Sequence, residues 1–320
     1  MLCACGRYQD FRLPLQPGGP AVAWHWEARP DPVLTRGGAG EWDSVDVLNP
    51  SVLRQGDAYY NLYSGYDGRT WHTGLAVSAD GLTWRKEGTM LSPDPRTWEG
   101  DAIAANGSAV ADESGAILYY YQAGQPPEIG LARSANGHQW RRQGPPVLPT
   151  GPRGSWDERG VADPYVIHIG RSYYMFYEGM DRARRQRLGV ATSDDGVTWY
   201  KLRRNPILEL GAYGAFDENG LGEPAVWVSN GYYWMLYTGQ DRGKMRKLGL
   251  ARSRDGVDWE KHPLVIAGDQ PWDSKVLCDP TVLVENGRVR VWFGGGDVPS
   301  PDQNLNGQIG SAMLTAQATK

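Results

Sequence analysis

The sequence of 320 residues predicts an all-β protein, a single five-bladed β-propeller, and three observations carry that expectation. First, an aromatic residue followed by an acid recurs at Trp42-Asp43, Trp98-Glu99, Trp156-Asp157, Phe216-Asp217 and Trp272-Asp273, at intervals of 56 to 60 residues. Second, each repeat reads as strand and turn in one order: a polar residue before Pro or Gly, a β-rich run, a Gly turn, a Tyr-rich run, then a third strand such as Leu248-Gly249-Leu250-Ala251. Third and fourth strands are joined at Asp80-Gly81, Asn136-Gly137, Asp195-Gly196 and Asp255-Gly256, each three residues ahead of Trp84, Trp140, Trp199 or Trp259. Asp-Gly and Asn-Gly suit such turns because the central positions need positive φ. Third, the chain ends complement one another. The last repeat stops after Gln308–Met313, whereas Trp24–Leu34 reads like the fourth strand and exit of another repeat, as in Trp140–Leu148. An N-terminal strand over 21–34 is therefore expected to complete the last blade and remove the open sheet edge. The expected blades run 42–97, 98–155, 156–215, 216–271 and 272–315, within one domain spanning 1–320.

Composition agrees with one well-filled domain: 40% of residues are hydrophobic and 22% charged. A net charge of -4 and a pI near 5.8 supply no field for nucleic acid or an anionic membrane, so neither is expected as a partner. The aromatic content is 14 Trp and 17 Tyr against 4 Phe, a bias toward rings with a polar edge that suits sugar faces, and a carbohydrate is the expected partner. Cys3, Cys5 and Cys278 are odd in number and show no disulfide or zinc spacing. With free thiols, no leader-like N-terminus and no apolar run long enough to span a bilayer, the expected location is the cytoplasm. No metal or cofactor is expected.

In a propeller the first strand of each blade lines the central channel. Aligning these strands gives one ring position per repeat: Asn49-Pro50, Asn106-Gly107, Asp163-Pro164, Glu223-Pro224 and Asp279-Pro280. A scaffold has no need of converging carboxylates, which repel and raise one another's pKa, so the ring is the expected site. Asp46 and Asp43 precede it in the first repeat. Because Asp43 shares the recurring aromatic-acid position, Asp46 is the preferred inward carboxylate. Two basic loops, 179–187 and 239–247, join second and third strands in adjacent repeats, and Arg182 and Arg242 are the expected inward pair, holding hydroxyls or an anion. Trp42 is a candidate stacking platform, although its recurrence favours packing, and His72 lies in the loop nearest the mouth.

On these ring motifs the chain resembles the five-bladed propeller glycosidases, above all glycoside hydrolase family 43, with families 32, 62, 68 and 130 as relatives. The resemblance implies a Glu acid at Glu223-Pro224 and an Asp at Asp163-Pro164 that tunes it. Asn49 stands where family 43 carries an Asp base, and an amide accepts no proton from water. With Asp46 as base, Glu223 would protonate the leaving oxygen while water attacks from the opposite face, giving inverting hydrolysis of a furanoside-containing glycan. The Asn49-Pro50 pair also resembles family 130, which includes phosphorylases, and in that alternative the basic loops would bind phosphate. A propeller that only binds glycan is the remaining alternative.

Overall fold

A computed structural model describes residues 7–300 and 302–318; Cys3 and Cys5 lie outside the described residues. The described residues form strands without a helix. Four hydrogen-bonded sheets of five, four, eight and four strands account for them. In the first repeat Asp46–Gln55, Ala58–Tyr66, Trp71–Ser78 and Arg85–Leu91 run antiparallel in chain order, and the following repeats reuse that order. The eight-stranded sheet consists of the strands of the fourth and fifth repeats, joined by one parallel pair, Arg246 with Val276. Val22–Ala28 lies antiparallel on Gln308–Ala318, from Val22 opposite Ala318 to Ala28 opposite Ala312.

The N-terminal segment goes further than its sequence suggested. Tyr8–Gln9 adds a parallel strand beside Tyr200–Leu202 of the third repeat. The Leu13 and Gln16 N–H groups then donate to Asp255 and Arg254 carbonyls of the fourth. Leu13 is buried against Gly256, so the segment binds both of these repeats before the chain reaches its pairing with the fifth and enters its first.

What aims the site is a bulge repeated in every first strand. Pairing shifts between Leu48 and Ser51, Ala105 and Ser108, Ala162 and Tyr165, Gly222 and Ala225, and Cys278 and Thr281. The residue ahead of Pro or Gly in each bulge takes a left-handed conformation, with φ of 47° at Asn49, 49° at Asn106, 46° at Asp163, 53° at Glu223 and 51° at Asp279. A bulge re-aims a side chain, and left-handed residues other than Gly cost of order 1–3 kcal/mol each, so five in register mark a site that the rest of the fold must over-determine. The aromatic-acid pairs supply part of that support. The Trp42 ring covers Gly65 and Gly74 where a side chain would otherwise stand, and Trp156, Phe216 and Trp272 cover matching glycines.

Candidate active site

The five left-handed residues converge at the floor of a cavity of about 640 Å³, a volume suited to a small ligand. Asn49, Asn106, Asp163, Glu223 and Asp279 also ring a smaller void beneath it. The bulges leave backbone N–H groups free of the ladder, and two of these close the ring. Asp279 N–H donates to Glu223 Oε2 at 3.0 Å, and Asn49 N–H donates to Asp279 Oδ2 at 3.2 Å. Asn106 N–H instead meets Ser64 Oγ, whose own hydroxyl donates to Asn106 Oδ1.

A carboxylate that the ring pattern did not contain joins them. Glu178, in Ser172–Met180 opposite Ala162, is buried, lines the same cavity and accepts a hydrogen bond from Gln186 Nε2 at 2.9 Å. Burial first, and then the charge of Glu223, pushes the Glu178 carboxyl up to about 8. Asp163 is held well above its ordinary value by burial, then by Glu178 and Glu223, and Asp279 by burial and then Glu223. Glu178 therefore keeps its proton near neutrality, and the protonated forms of Asp163 and Asp279 are favoured. Asp163 Oδ1 is buried without a hydrogen-bond partner among the described residues. Space is tight between the acids: a Cβ at Gly222 would stand 2.7 Å from Glu178 Oε2.

One buried cation balances the group. Arg246 heads the third strand of the fourth repeat and lines the cavity; burial alone would lower its pKa, but Glu223, Cys278, Asp279 and Asp302 together raise it. Arg69, Arg184 and Lys244 line the cavity around it. Glu223, Cys278 and Asp279 place ligand atoms within 4.8 Å of one another, close enough for a metal ion. The Cys278 thiol, however, donates to Asp279 Oδ2 at 3.1 Å, and Arg246 already supplies positive charge.

Several expected site residues lie elsewhere. Asp46 is fully buried, and its carboxylate accepts the N–H groups of Asn304, Leu305 and Gly307 at 2.6 to 3.0 Å. It ties down the loop after the fifth repeat's second strand, which presents Asp302 and Gln303 to the cavity, and so is not placed as a base. Arg182 and Arg242 point away from the cavity: Arg182 lines a separate concavity, while Arg242 sits 3.4 Å from Glu218 and over the Tyr213 ring. The inward positions of those loops belong to Arg184, Lys244 and Arg246. Trp42 packs against Tyr63 and His72 rather than facing the cavity. His72 bonds Ser92 Oγ, and its neighbours Arg69 and Trp71 take the mouth. Asn49, Asn106, Asp163, Glu223 and Asp279 are where the repeat alignment placed them.

The family model described as "Glycosyl hydrolases family 32 N-terminal domain" matches residues 57–206 and 130–277, which together take in more than half of the chain. The chain belongs to that family. Family 43, to which the ring motifs were most similar, is thus represented by a relative and not by the matching family. Among solved structures, "The GH130 family of mannoside phosphorylases contains glycoside hydrolases that target beta-1,2 mannosidic linkages in Candida mannan" superposes with a TM-score of 0.72 at 16% identity, over 95% of this chain and 96% of the other. "Crystal structure of a thermostable family-43 glycoside hydrolase" gives 0.64 at 15%, over 88% and 90%. These likenesses establish a glycoside hydrolase-like propeller fold. An uncharacterized protein of Mycobacterium tuberculosis (strain ATCC 25618 / H37Rv) is 29% identical over 158 residues, 46% of this chain and 52% of its own. A 1,2-beta-oligomannan phosphorylase of Thermoanaerobacter sp. (strain X514) is 27% identical over 135 residues, 39% of this chain and 44% of its own. The chain thus spans about half the length of the curated relatives it matches.

Within this family fold, the residues that sequence reasoning missed are Glu178 and Arg246. Glu178 had a signal: Tyr177-Glu178-Gly179 stands where other repeats read Tyr63-Ser64-Gly65 and Tyr237-Thr238-Gly239. Arg246 pairs with Gln240 as Gln186 pairs with Met180, so the two are one position in successive repeats, and register alone distinguishes it from its basic neighbours.

Proposed function

We propose that this chain is a glycoside-cleaving enzyme, a single five-bladed β-propeller closed by Val22–Ala28, that transfers a glycosyl group from a β-mannoside oligosaccharide to phosphate. One observation carries the choice of phosphate over water: Asp46 is engaged by three backbone N–H groups, while Arg69, Arg184, Lys244 and Arg246 line the cavity that holds the acids. A phosphate bound among these cations needs no general base, since it arrives already ionised. Its oxygen attacks the anomeric carbon from the face opposite the leaving group as the glycosidic bond breaks. Asp163, whose Oδ1 has no partner among the described residues and whose protonated form is favoured, gives its proton to the leaving oxygen. The products are a sugar 1-phosphate of inverted configuration and a shortened glycan. Asn49, Asn106 and Asp279 hold ring hydroxyls at the floor. Glu223 is the charged neighbour that keeps the proton on Asp163 and Glu178, reversing the roles expected of Glu223 and Asp163.

The Thermoanaerobacter relative, a 1,2-beta-oligomannan phosphorylase, and the family 130 structure, described with β-1,2 mannosidic linkages, support a mannoside, and the furanoside expectation is not carried forward. Hydrolysis is the second reading. Glu223 lines the cavity and would take water's proton in place of Asp46, and the same family 130 work describes glycoside hydrolases among phosphorylases on this fold. Incubation with β-1,2-mannobiose and longer mannosides, with and without phosphate, followed by phosphorus and proton NMR, separates the two. Mannose 1-phosphate formed only with phosphate is the expected product. Free mannose released without phosphate and abolished by Glu223→Gln supports hydrolysis, and no turnover of any mannoside contradicts the proposal.

A further inference from the structure

Beside the central cavity, a second concavity of about 260 Å³ is lined by Arg153, Glu158, Arg159 and Arg182 of the third repeat. Three exposed arginines and one carboxylate line it, and Glu158 Oε2 already accepts the Gly154 N–H at 2.6 Å. Arg185 and Arg187 of the same loop are held by Asp181 and Glu209, but among the described residues Arg153, Arg159 and Arg182 form no ion pair.

The fourth repeat supplies an internal control. Gly151–Gly160 and Gly211–Gly220 share one backbone frame: Gly151 N–H donates to Asp157 and Gly211 N–H to Asp217, both at 3.1 Å, and Ser155 and Ala215 donate to Pro152 and Ala212, both at 2.9 Å. In the fourth repeat Tyr213 replaces Arg153 and lies under Arg242 at 4.7 Å, Glu218 sits 3.4 Å from the same guanidinium, and Asn219 replaces Arg159 and bonds Gln240. In that repeat each of these frame side chains has a partner in the adjoining 240–242 segment. The third repeat adds two cations to that frame and no acid, and like charges lining one concavity repel unless an anion joins them.

We propose that Arg153, Arg159 and Arg182 form an oxyanion subsite, distinct from the central cavity, that takes a phosphate or carboxylate group. Its place favours an anionic substituent on a bound glycan. Arg159 N–H donates to the carbonyl of Met180 at 2.9 Å, and Met180 and Arg184 line the central cavity, so the two sites share a wall. Planar guanidiniums suit bidentate capture of such oxyanions.

Titration calorimetry with inorganic phosphate, mannose 6-phosphate and mannose tests this. The variant Arg153→Tyr with Arg159→Asn installs residues that the fourth repeat already carries on the same frame, so it folds. The wild type is expected to bind two phosphates per chain. The double variant loses one of them, with affinity at that site reduced about tenfold or more, and salt weakens it further. Tighter binding of mannose 6-phosphate than of phosphate at this site assigns the oxyanion to a glycan, and the reverse assigns it to the free anion. Wild-type phosphate binding by the double variant overturns the proposal. Arg246→Met removes only the central phosphate, so a failure of the central reading is recorded separately.

Discussion

Two sets of acids in this molecule receive opposite treatment. In the outer set, Asp43, Asp157 and Asp217 meet Lys86, Lys201 and Lys261 at 2.5 to 2.6 Å, and Glu99 meets Arg142 at 2.9 Å. Tyr63, Tyr121, Tyr177 and Tyr237 complete each group with a hydroxyl hydrogen bond. In the inner set, Asp163, Glu178 and Asp279 crowd around Glu223 with Arg246 as their common guanidinium, and burial together with the charge of Glu223 raises all three carboxyls. The outer acids are buried, as are Glu178 and Asp279, whereas Asp163 and Glu223 are half-buried at the cavity, so the two sets differ in exposure as well as in partners. In four of the five repeats the bracing acid has a dedicated cation beside it. Where acids face the cavity, they stand beside one another without a dedicated ion pair each, and their protonated forms are favoured.

The contrast is tested hardest at Asp163. Asp163→Asn removes the proposed proton donor while keeping its shape, and kcat on a mannoside is expected to fall by about 10²–10⁴-fold with the thermal midpoint little changed. A fall in stability with activity kept would place Asp163 in the outer class. Next in size is Lys201→Met, which strands the fully buried Asp157 and is expected to cost about 3–5 kcal/mol in denaturant unfolding. Adding Asp157→Asn should restore part of that loss.

The pH dependence separates the two sets again. Glu178 is raised from 4.5 to about 8, so below pH 4.5 folded and unfolded chains both hold its proton, and between these values only the folded chain does. Stability supplied by that proton declines as pH rises through this window, and Glu178→Gln should flatten the decline in a series of unfolding midpoints. The smallest effect is expected in the fifth repeat. Asp273 has no Lys or Arg ion pair among the described residues, Phe293 stands where other repeats carry Tyr, and burial pushes the carboxyl up. Asp273→Asn should therefore cost under about 1 kcal/mol, less than Asp217→Asn measured alongside it.

The repeat architecture was legible because period, turn chemistry and complementary ends are local signals: Asp80-Gly81, Trp42-Asp43 and Trp24–Leu34 each announce themselves in sequence. The floor of the site was legible for the same reason, since one bulge residue per repeat falls in a fixed place before Pro or Gly. Direction was not. Asp46 lies three residues before Asn49, and only the path of the 304–307 loop determines that its oxygens face backbone N–H groups. Arg182, Arg184, Arg242 and Arg246 are chemically equivalent in a basic loop, and the register of the flanking strands selects which enters the cavity. The contact of Leu13 with Gly256 could not be read either, because it joins positions far apart in the chain without any periodic pattern.

Burial and the charge of Glu223 favour the protonated forms of Asp163 and Glu178, and the proposed chemistry depends on a proton at Asp163. Infrared difference spectroscopy at pH 7, with the C=O band of protonated carboxyls as readout, compares the wild type with Asp163→Asn, Glu178→Gln and Glu223→Gln. A protonated-carboxyl band is expected in the wild type and weakens in the first two variants. In Glu223→Gln, where the neighbouring charge is gone, the band of the remaining acids is lost at a lower pH than in the wild type. A spectrum without protonated carboxyls at pH 7, or one unchanged by both Asp163→Asn and Glu178→Gln, is incompatible with protons held on these acids.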